Sequence, residues 1–248
     1  MTDIICVVLQ KGGVGKTSTA LALTAGARAR GRRTLTIDLD PQCNLSLAMG
    51  ADMTGISILD VLAGNATASE AIQATPQGEI IPATGSMSSA DLILNTVGKE
   101  YRLKESLEPI LGRYDCIVLD CPPALGVLTV NALAVSSRVV IPAQADIFSV
   151  QGIAQLFGTI DTVRRYCNPS LTVAGVLLTR YNPRSVLARE MRDVIGQTAT
   201  QNGAALFKSF IRESTAIKEA QTRQQSIFDY APRSNGAADY GAFLDEIM

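Results

Sequence analysis

Short apolar runs alternate with longer segments of helical period from one end of the chain to the other. Ile4–Leu9, Thr34–Ile37, Glu79–Ala83, Cys116–Leu119, Arg138–Ala143, Thr172–Leu178 and a weaker Leu206–Phe207 read as strands. Several are apolar at every position, the pattern of strands buried on both faces of a parallel sheet. Helical segments of ten or more residues separate most of them. The pattern therefore predicts βαβ units and an α/β fold, a doubly wound, mainly parallel sheet with helices on both faces. No linker, low-complexity tract or internal repeat interrupts it, so residues 1–248 read as a single domain. Ligands of such sheets bind at the carboxyl ends of the strands.

The first strand runs into Leu9-Gln10-Lys11-Gly12-Gly13-Val14-Gly15-Lys16-Thr17-Ser18, and an alanine- and leucine-rich helix over roughly Thr17 to Arg30 leads out. A strand, a glycine-rich turn and a helix in that order aim backbone N–H groups at one point, at the positive end of the helix dipole. The segment Lys11, Gly12, Gly13, Val14, Gly15, Lys16, Thr17, Ser18 reads as a phosphate-binding P-loop, with Lys16 reaching the terminal phosphates and Thr17 available to Mg²⁺. It departs from the usual spacing. Gln10 stands where a glycine is normal, and a second lysine, Lys11, lies inside the loop. The plainer alternative is a glycine turn that merely joins strand to helix.

Two later strands end in carboxylates. Asp38 closes the second strand, and Asp40 follows at a turn that Pro41 keeps from continuing as helix. Asp120 closes the Cys116–Leu119 strand and is followed by Cys121-Pro122-Pro123, the Walker B arrangement with a stiff segment next to the γ-phosphate position. An Asp-Pro turn and a solvated strand end are the structural alternatives. Beside a phosphate-bound Mg²⁺ these carboxylates acquire work: holding metal-bound water and orienting a nucleophile.

Composition narrows the chemistry. The chain has no histidine, which excludes His-based catalysis and His-bearing metal sites. Five cysteines without a C-x-x-C pair read as small buried apolar residues of a reducing compartment. The net charge of −1 neither favours nor opposes a polyanionic partner, so any nucleic-acid surface must be local. The first apolar run is too short to span a bilayer and has no basic flank, which points to a cytoplasmic protein.

With these residues in hand the chain resembles the ParA/Soj-type partition ATPases, P-loop NTPases of a wider group that includes MinD and the nitrogenase iron protein. Lys11–Thr17 looks like the family's deviant Walker A motif, Asp38–Gln42 its switch I and Asp120–Pro123 its switch II. Pro142–Asp146 with Gly152–Leu156, Leu177–Tyr181, and Ala231–Ser234 with Gly236, Ala237 and Tyr240 extend the likeness over essentially the whole chain. The resemblance implies ATP and Mg²⁺ as ligands. It implies Lys16 on the β/γ-phosphates, Thr17 on the metal, and Asp38, Asp40 and Asp120 around it, with Asp40 positioning the attacking water. Lys11 would be the signature lysine that reaches the nucleotide of the partner in an ATP-dependent homodimer. No residue motif reads the base, so the preference for ATP over GTP is implied by the resemblance alone.

The resemblance also implies non-specific binding to double-stranded DNA, a ParB-type activator protein and a nucleoid-associated location. From Arg180 to Arg223 there are eight Lys or Arg against four acids. Solvated helix faces laced with salt bridges are one reading of this excess, and a footprint on DNA phosphates is the other. Arg184 aligns with a family DNA-contact arginine. A second family arginine falls on Ala216, which leaves Arg189, Arg212, Lys218 and Arg223 as candidates for the remaining contacts. A low aromatic content without tryptophan disfavours base-stacking single-strand modes.

Three other functions fit the same fold. A MinD-like, membrane-associated division-site ATPase calls for a basic amphipathic C-terminal helix, whereas Tyr240–Met248 carries two acids and no base. An electron-transfer ATPase needs two suitably spaced cysteines for a shared cluster. A small-molecule ligase has no use for Lys11. The P-loop begins within ten residues of Met1, so no helix-turn-helix segment is expected before it and site-specific repression is not expected.

Overall fold

A computed structural model describes residues 2–248. One eight-stranded sheet runs through it in the order β3-β4-β2-β5-β1-β6-β7-β8. The strands are β1 (Asp3–Val7), β2 (Thr34–Asp38), β3 (Gln73–Thr75), β4 (Gly78–Ile81), β5 (Cys116–Asp120), β6 (Arg138–Ala143), β7 (Thr172–Thr179) and β8 (Leu206–Ile211). All neighbours pair in parallel except β3, which closes one edge as an antiparallel hairpin with β4. The α-helices are α1 (Lys16–Ala29), α2 (Asn44–Met49), α3 (Ile58–Ala63), α4 (Ala68–Ala71), α5 (Ala90–Ile93), α6 (Arg102–Leu107), α7 (Val127–Val135), α8 (Ile147–Tyr166), α9 (Val186–Gln201), α10 (Thr215–Thr222), α11 (Ile227–Tyr230) and α12 (Asn235–Ile247).

The doubly wound expectation holds, with two differences at the edges. β3 was not expected, because Gln-Ala-Thr carries no apolar alternation and exists through its pairing with β4. β8 runs to Ile211 instead of stopping at Phe207. Its polar Lys208 and Ser209 break the apolar run, and both backbone N–H groups are taken by the Glu246 carboxylate.

Successive residues of the central strands feed two cores. Ile4 and Cys6 of β1 join Leu35, Ile37, Ile117 and Leu119 on one face, with α3, α6, α7 and α8. Ile5 and Val7 join Val118, Leu23 of α1 and Tyr240, Phe243 and Leu244 of α12 on the other. Such two-faced burial explains why these strands are apolar throughout. α1 lies close against α12, and a Cβ at Gly26 would collide with the Leu244 side chain. Three of the five cysteines (Cys6, Cys116, Cys121) are buried as expected, while Cys43 and Cys167 are only partly covered. Among the described residues no helix is long and apolar enough to cross a membrane.

Candidate functional site

The centre of the sheet brings the predicted motifs together. β1 lies between β5 and β6, and β5 lies between β1 and β2. Asp120 is the register partner of Val7 on one side and of Asp38 on the other. The P-loop that follows β1 and the two strand-end aspartates thus converge at the carboxyl edge, at the crevice where strand order reverses. A cleft of about 720 Å³ opens there, lined among others by Gly13, Lys16, Thr17, Asp40, Pro123 and Arg180.

The glycines shape the turn. Gly13 (φ +73) and Gly15 (φ +85) are left-handed, where a side chain is strained. Gly15 is the N-cap of α1 and offers no capping side chain, and the first turn of α1 has no acid. The positive end of a 14-residue helix is therefore left to whatever occupies the turn. At Gly12 and Gly13 a Cβ would meet nothing within 4 Å, so the space above the backbone is open.

Lys16 is nearly enclosed, at 6% exposure, and its Nζ donates to the Lys11 carbonyl at 2.9 Å. Burial lowers its pKa, against the pull of the Asp120 and Asp40 carboxylates. The Thr17 hydroxyl donates to Asp120 Oδ2 at 2.7 Å. Asp120 is fully buried, and its Oδ1 has no partner at all. Burial and then the neighbouring Asp38 charge push the Asp120 carboxyl well above the ordinary range, while Thr17 and Lys16 pull the other way. An orphaned carboxylate oxygen beside a threonine hydroxyl and an open glycine turn fits a Mg²⁺ with its waters. Among the described residues no three acidic or thiol side chains converge on a metal position.

Asp38 and Asp40 divide their tasks. Asp38 Oδ2 accepts from the Ser46 amide and hydroxyl, both at 2.8 Å, and its Oδ1 from the Asp40 amide at 3.0 Å. Burial pushes its carboxyl up to about 6 in spite of these bonds. Asp38 therefore fixes the strand end to α2 and stands in register with Asp120. Asp40 accepts the Gln42 amide with Oδ1 at 3.0 Å and lines the cleft.

Lys11 does not point into the turn. It is ion-paired to Asp146, and its amine lies 3.3 Å from Ser149 Oγ and 3.5 Å from Gln144 Oε1. Asp146 is also the N-cap of α8, accepting the Ser149 amide at 2.8 Å. Gln144 donates back to the Gly13 carbonyl at 3.0 Å, which ties the end of β6 to the P-loop. Sequence reasoning placed Gln144 and Asp146 in a stretch of family likeness but missed these contacts, because a polar loop after a strand looks alike with or without them.

The basic region splits in two. Arg212 is held by Asp239 through bonds of 2.7 to 3.2 Å, Lys218 pairs with Glu213 at 3.1 Å, and Arg180 with Glu213 at 2.7 Å. Arg184, Arg189 and Arg223 are exposed and have no carboxylate partner among the described residues. Arg189 donates to the Pro183 carbonyl at 2.9 Å, and Arg223 caps the end of α10.

Known proteins agree with this geometry. Residues 2–173 match the family model described as an AAA domain. The chain is 36% identical to the sporulation initiation inhibitor protein Soj of Bacillus subtilis, covering 100% of this chain and 98% of that one. It is 35% identical to the chromosome partitioning protein ParA of Myxococcus xanthus, covering 99% of this chain and 87% of that protein. Among solved structures it resembles a cobyrinic acid a,c-diamide synthase from Mycobacterium smegmatis with bound ADP and magnesium (TM-score 0.84, 33% identity, 99% of this chain and 93% of that chain). A glycine turn carrying two lysines, set against strand-end aspartates in a doubly wound sheet, thus goes together with full-length similarity, and the chain belongs to the Soj/ParA family of P-loop partition ATPases.

Proposed function

We propose that this chain is a single-domain, Mg²⁺-dependent DNA segregation ATPase. In this reading ATP closes two copies into a sandwich homodimer, the dimer binds double-stranded DNA without sequence preference, and slow hydrolysis stimulated by a ParB-type protein releases it. Its place is then the cytoplasm, on the nucleoid. The supporting observation is the divergence of two amines from one turn. Lys16 is buried in the cradle, whereas Lys11 sits at its rim in a side-chain cluster and does not face the cradle of its own chain. An amine so placed suits a nucleotide other than its own.

The chemistry is in-line transfer of the γ-phosphoryl group to water, in which positioning and charge neutralisation do most of the work. The turn's backbone N–H groups and Lys16 hold the phosphates. Asp40 orients the water, and Thr17 with Asp120 holds the metal position, where bound Mg²⁺ would neutralise charge on the phosphate oxygens. A MinD-like membrane role finds less support. Tyr240, Phe243, Leu244 and Ile247 of α12 are buried in the core, so its apolar face is not free for a bilayer. An iron-protein role also lacks support, since Cys121 is fully buried with its sulfur 3.3 Å from that of Cys6.

The test is sedimentation and duplex retention of the purified chain with ATP and Mg²⁺ against ADP and Mg²⁺. A dimer that retains DNA only with ATP is the expected result. A monomer in both states, or equal retention, would overturn the proposal.

A further inference from the structure

α10 forms one wall of the cleft through Ile217, Lys218, Gln221 and Thr222. Ala220 is its one buried residue, with Ala216 and Ile217 partly buried against the core. Two neutral amides tie it further to the site side. Gln221 donates Nε2 to the Ser18 hydroxyl at 2.9 Å, one residue beyond the Thr17 that bonds Asp120. Gln224, just past the helix end, donates Nε2 to the Leu47 carbonyl of α2 at 3.1 Å. It does so from a left-handed backbone (φ +53), a strained conformation for glutamine. The fit on α2 is close. A Cβ at Gly50, the left-handed C-cap of α2, would stand 3.0 Å from Gln224 Oε1. One short segment thus grips the P-loop and the helix that follows Asp40, while the same segment presents the exposed Arg223 to solvent.

We infer that Gln221 is a positioning residue that couples the state of the nucleotide cradle to the placement of the basic α10 segment, with Gln224 as its second tie to α2. Ser18 is covalently next to Thr17. A rearrangement of the first turn of α1 around a bound phosphate is therefore carried to the hydroxyl on which Gln221 rests. Both ties are uncharged, so salt that screens the Arg223–phosphate attraction leaves them in place. This inference rests on the proposed ATP and DNA roles.

The experiment has two arms. Amide hydrogen exchange over residues 215–222 is followed with and without a slowly hydrolysed ATP analogue and Mg²⁺, and duplex affinity is measured in the same two states. In the parent the analogue slows exchange in α10 and raises duplex affinity. In Gln221→Ala the exchange effect disappears and the gain in affinity falls by about tenfold, within the usual range for coupled sites. Gln221→Glu, which accepts from the Ser18 hydroxyl, restores part of both. The double variant Ser18→Ala/Gln221→Ala is no worse than the more severe of its two single variants. Unchanged gains in Gln221→Ala, or losses that add fully in the double variant, would overturn the inference. If the parent binds no duplex in either state, the DNA role falls instead, and the exchange arm still decides the coupling.

Discussion

Lys11 is ion-paired to Asp146 of its own chain, at the residue that caps α8. For Lys11 to serve a nucleotide in a second copy this pair must first open. Asp146→Asn keeps a side-chain oxygen for the Ser149 amide, since Asn caps helices as well as Asp, but removes the charge that holds the amine. A partly exposed pair of this kind is worth about 0–1 kcal/mol. Two such pairs open in a symmetric dimer, so the variant should associate with ATP at a protein concentration up to about thirtyfold lower than the parent, read by sedimentation. An unchanged or higher concentration would show that the pair does not restrain Lys11.

Asp40 lines the cleft and spends Oδ1 on the Gln42 amide, which leaves Oδ2 for water. Asp40→Ala should leave ATP binding and ATP-dependent association intact while turnover falls by about 100-fold or more, the scale of a lost proton-handling group. Phosphate release and nucleotide titration of one sample separate the two effects. Unchanged turnover would place the water-orienting carboxylate elsewhere.

Arg184 is exposed beside α9 with its backbone amide held by Asn182 Oδ1 at 3.0 Å, so its side chain is free for a phosphate. Arg184→Ala should weaken binding to every duplex sequence alike and lower the salt slope by about one ion. A loss confined to one sequence would indicate base readout. Arg212→Ala is a poorer probe, because it also removes the anchor on Asp239.

Asp3 joins the start of β1 to β6 by accepting from Arg138 Nε at 3.1 Å and Ser137 Oγ at 2.9 Å. Burial works to raise its pKa, but the Arg138 bond and charge, with Ser137 and Arg32, prevail and lower it. A carboxyl lowered by folding adds stability that is complete above the unfolded pKa near 4 and is lost as pH falls through the folded value. Asp3→Asn should cost about 1.5–3 kcal/mol at neutral pH, as for bonds to a charged group. Urea unfolding at pH 7 and pH 3 should show the gap between parent and variant shrinking in acid. A gap that stays constant would remove Asp3 from the acid limb.

The parts of the fold legible in the sequence are those where burial forces a pattern. β1, β2 and β5 lie under helices on both faces, so their runs are apolar and their ends fall on Asp38 and Asp120. The P-loop was legible because left-handed turns call for glycine at Gly13 and Gly15. β3 and the outer half of β8 were not, since edge strands tolerate polar residues and owe their form to one neighbour. Of the site, the residues proposed to hold phosphate or metal stood out by type and spacing. Asp146, Gln144, Gln221 and Gln224 did not. They act through contacts 131 to 203 residues apart, apart from the local N-cap bond of Asp146, and no local pattern marks such side chains.

The most direct measurement is sedimentation of Lys11→Ala with ATP and Mg²⁺, beside its rate of phosphate release. The sandwich predicts that this variant binds ATP, stays monomeric and loses turnover, because each cradle lacks the amine from the other copy. Association and turnover equal to those of the parent would contradict it and leave a nucleotide hydrolase that works alone.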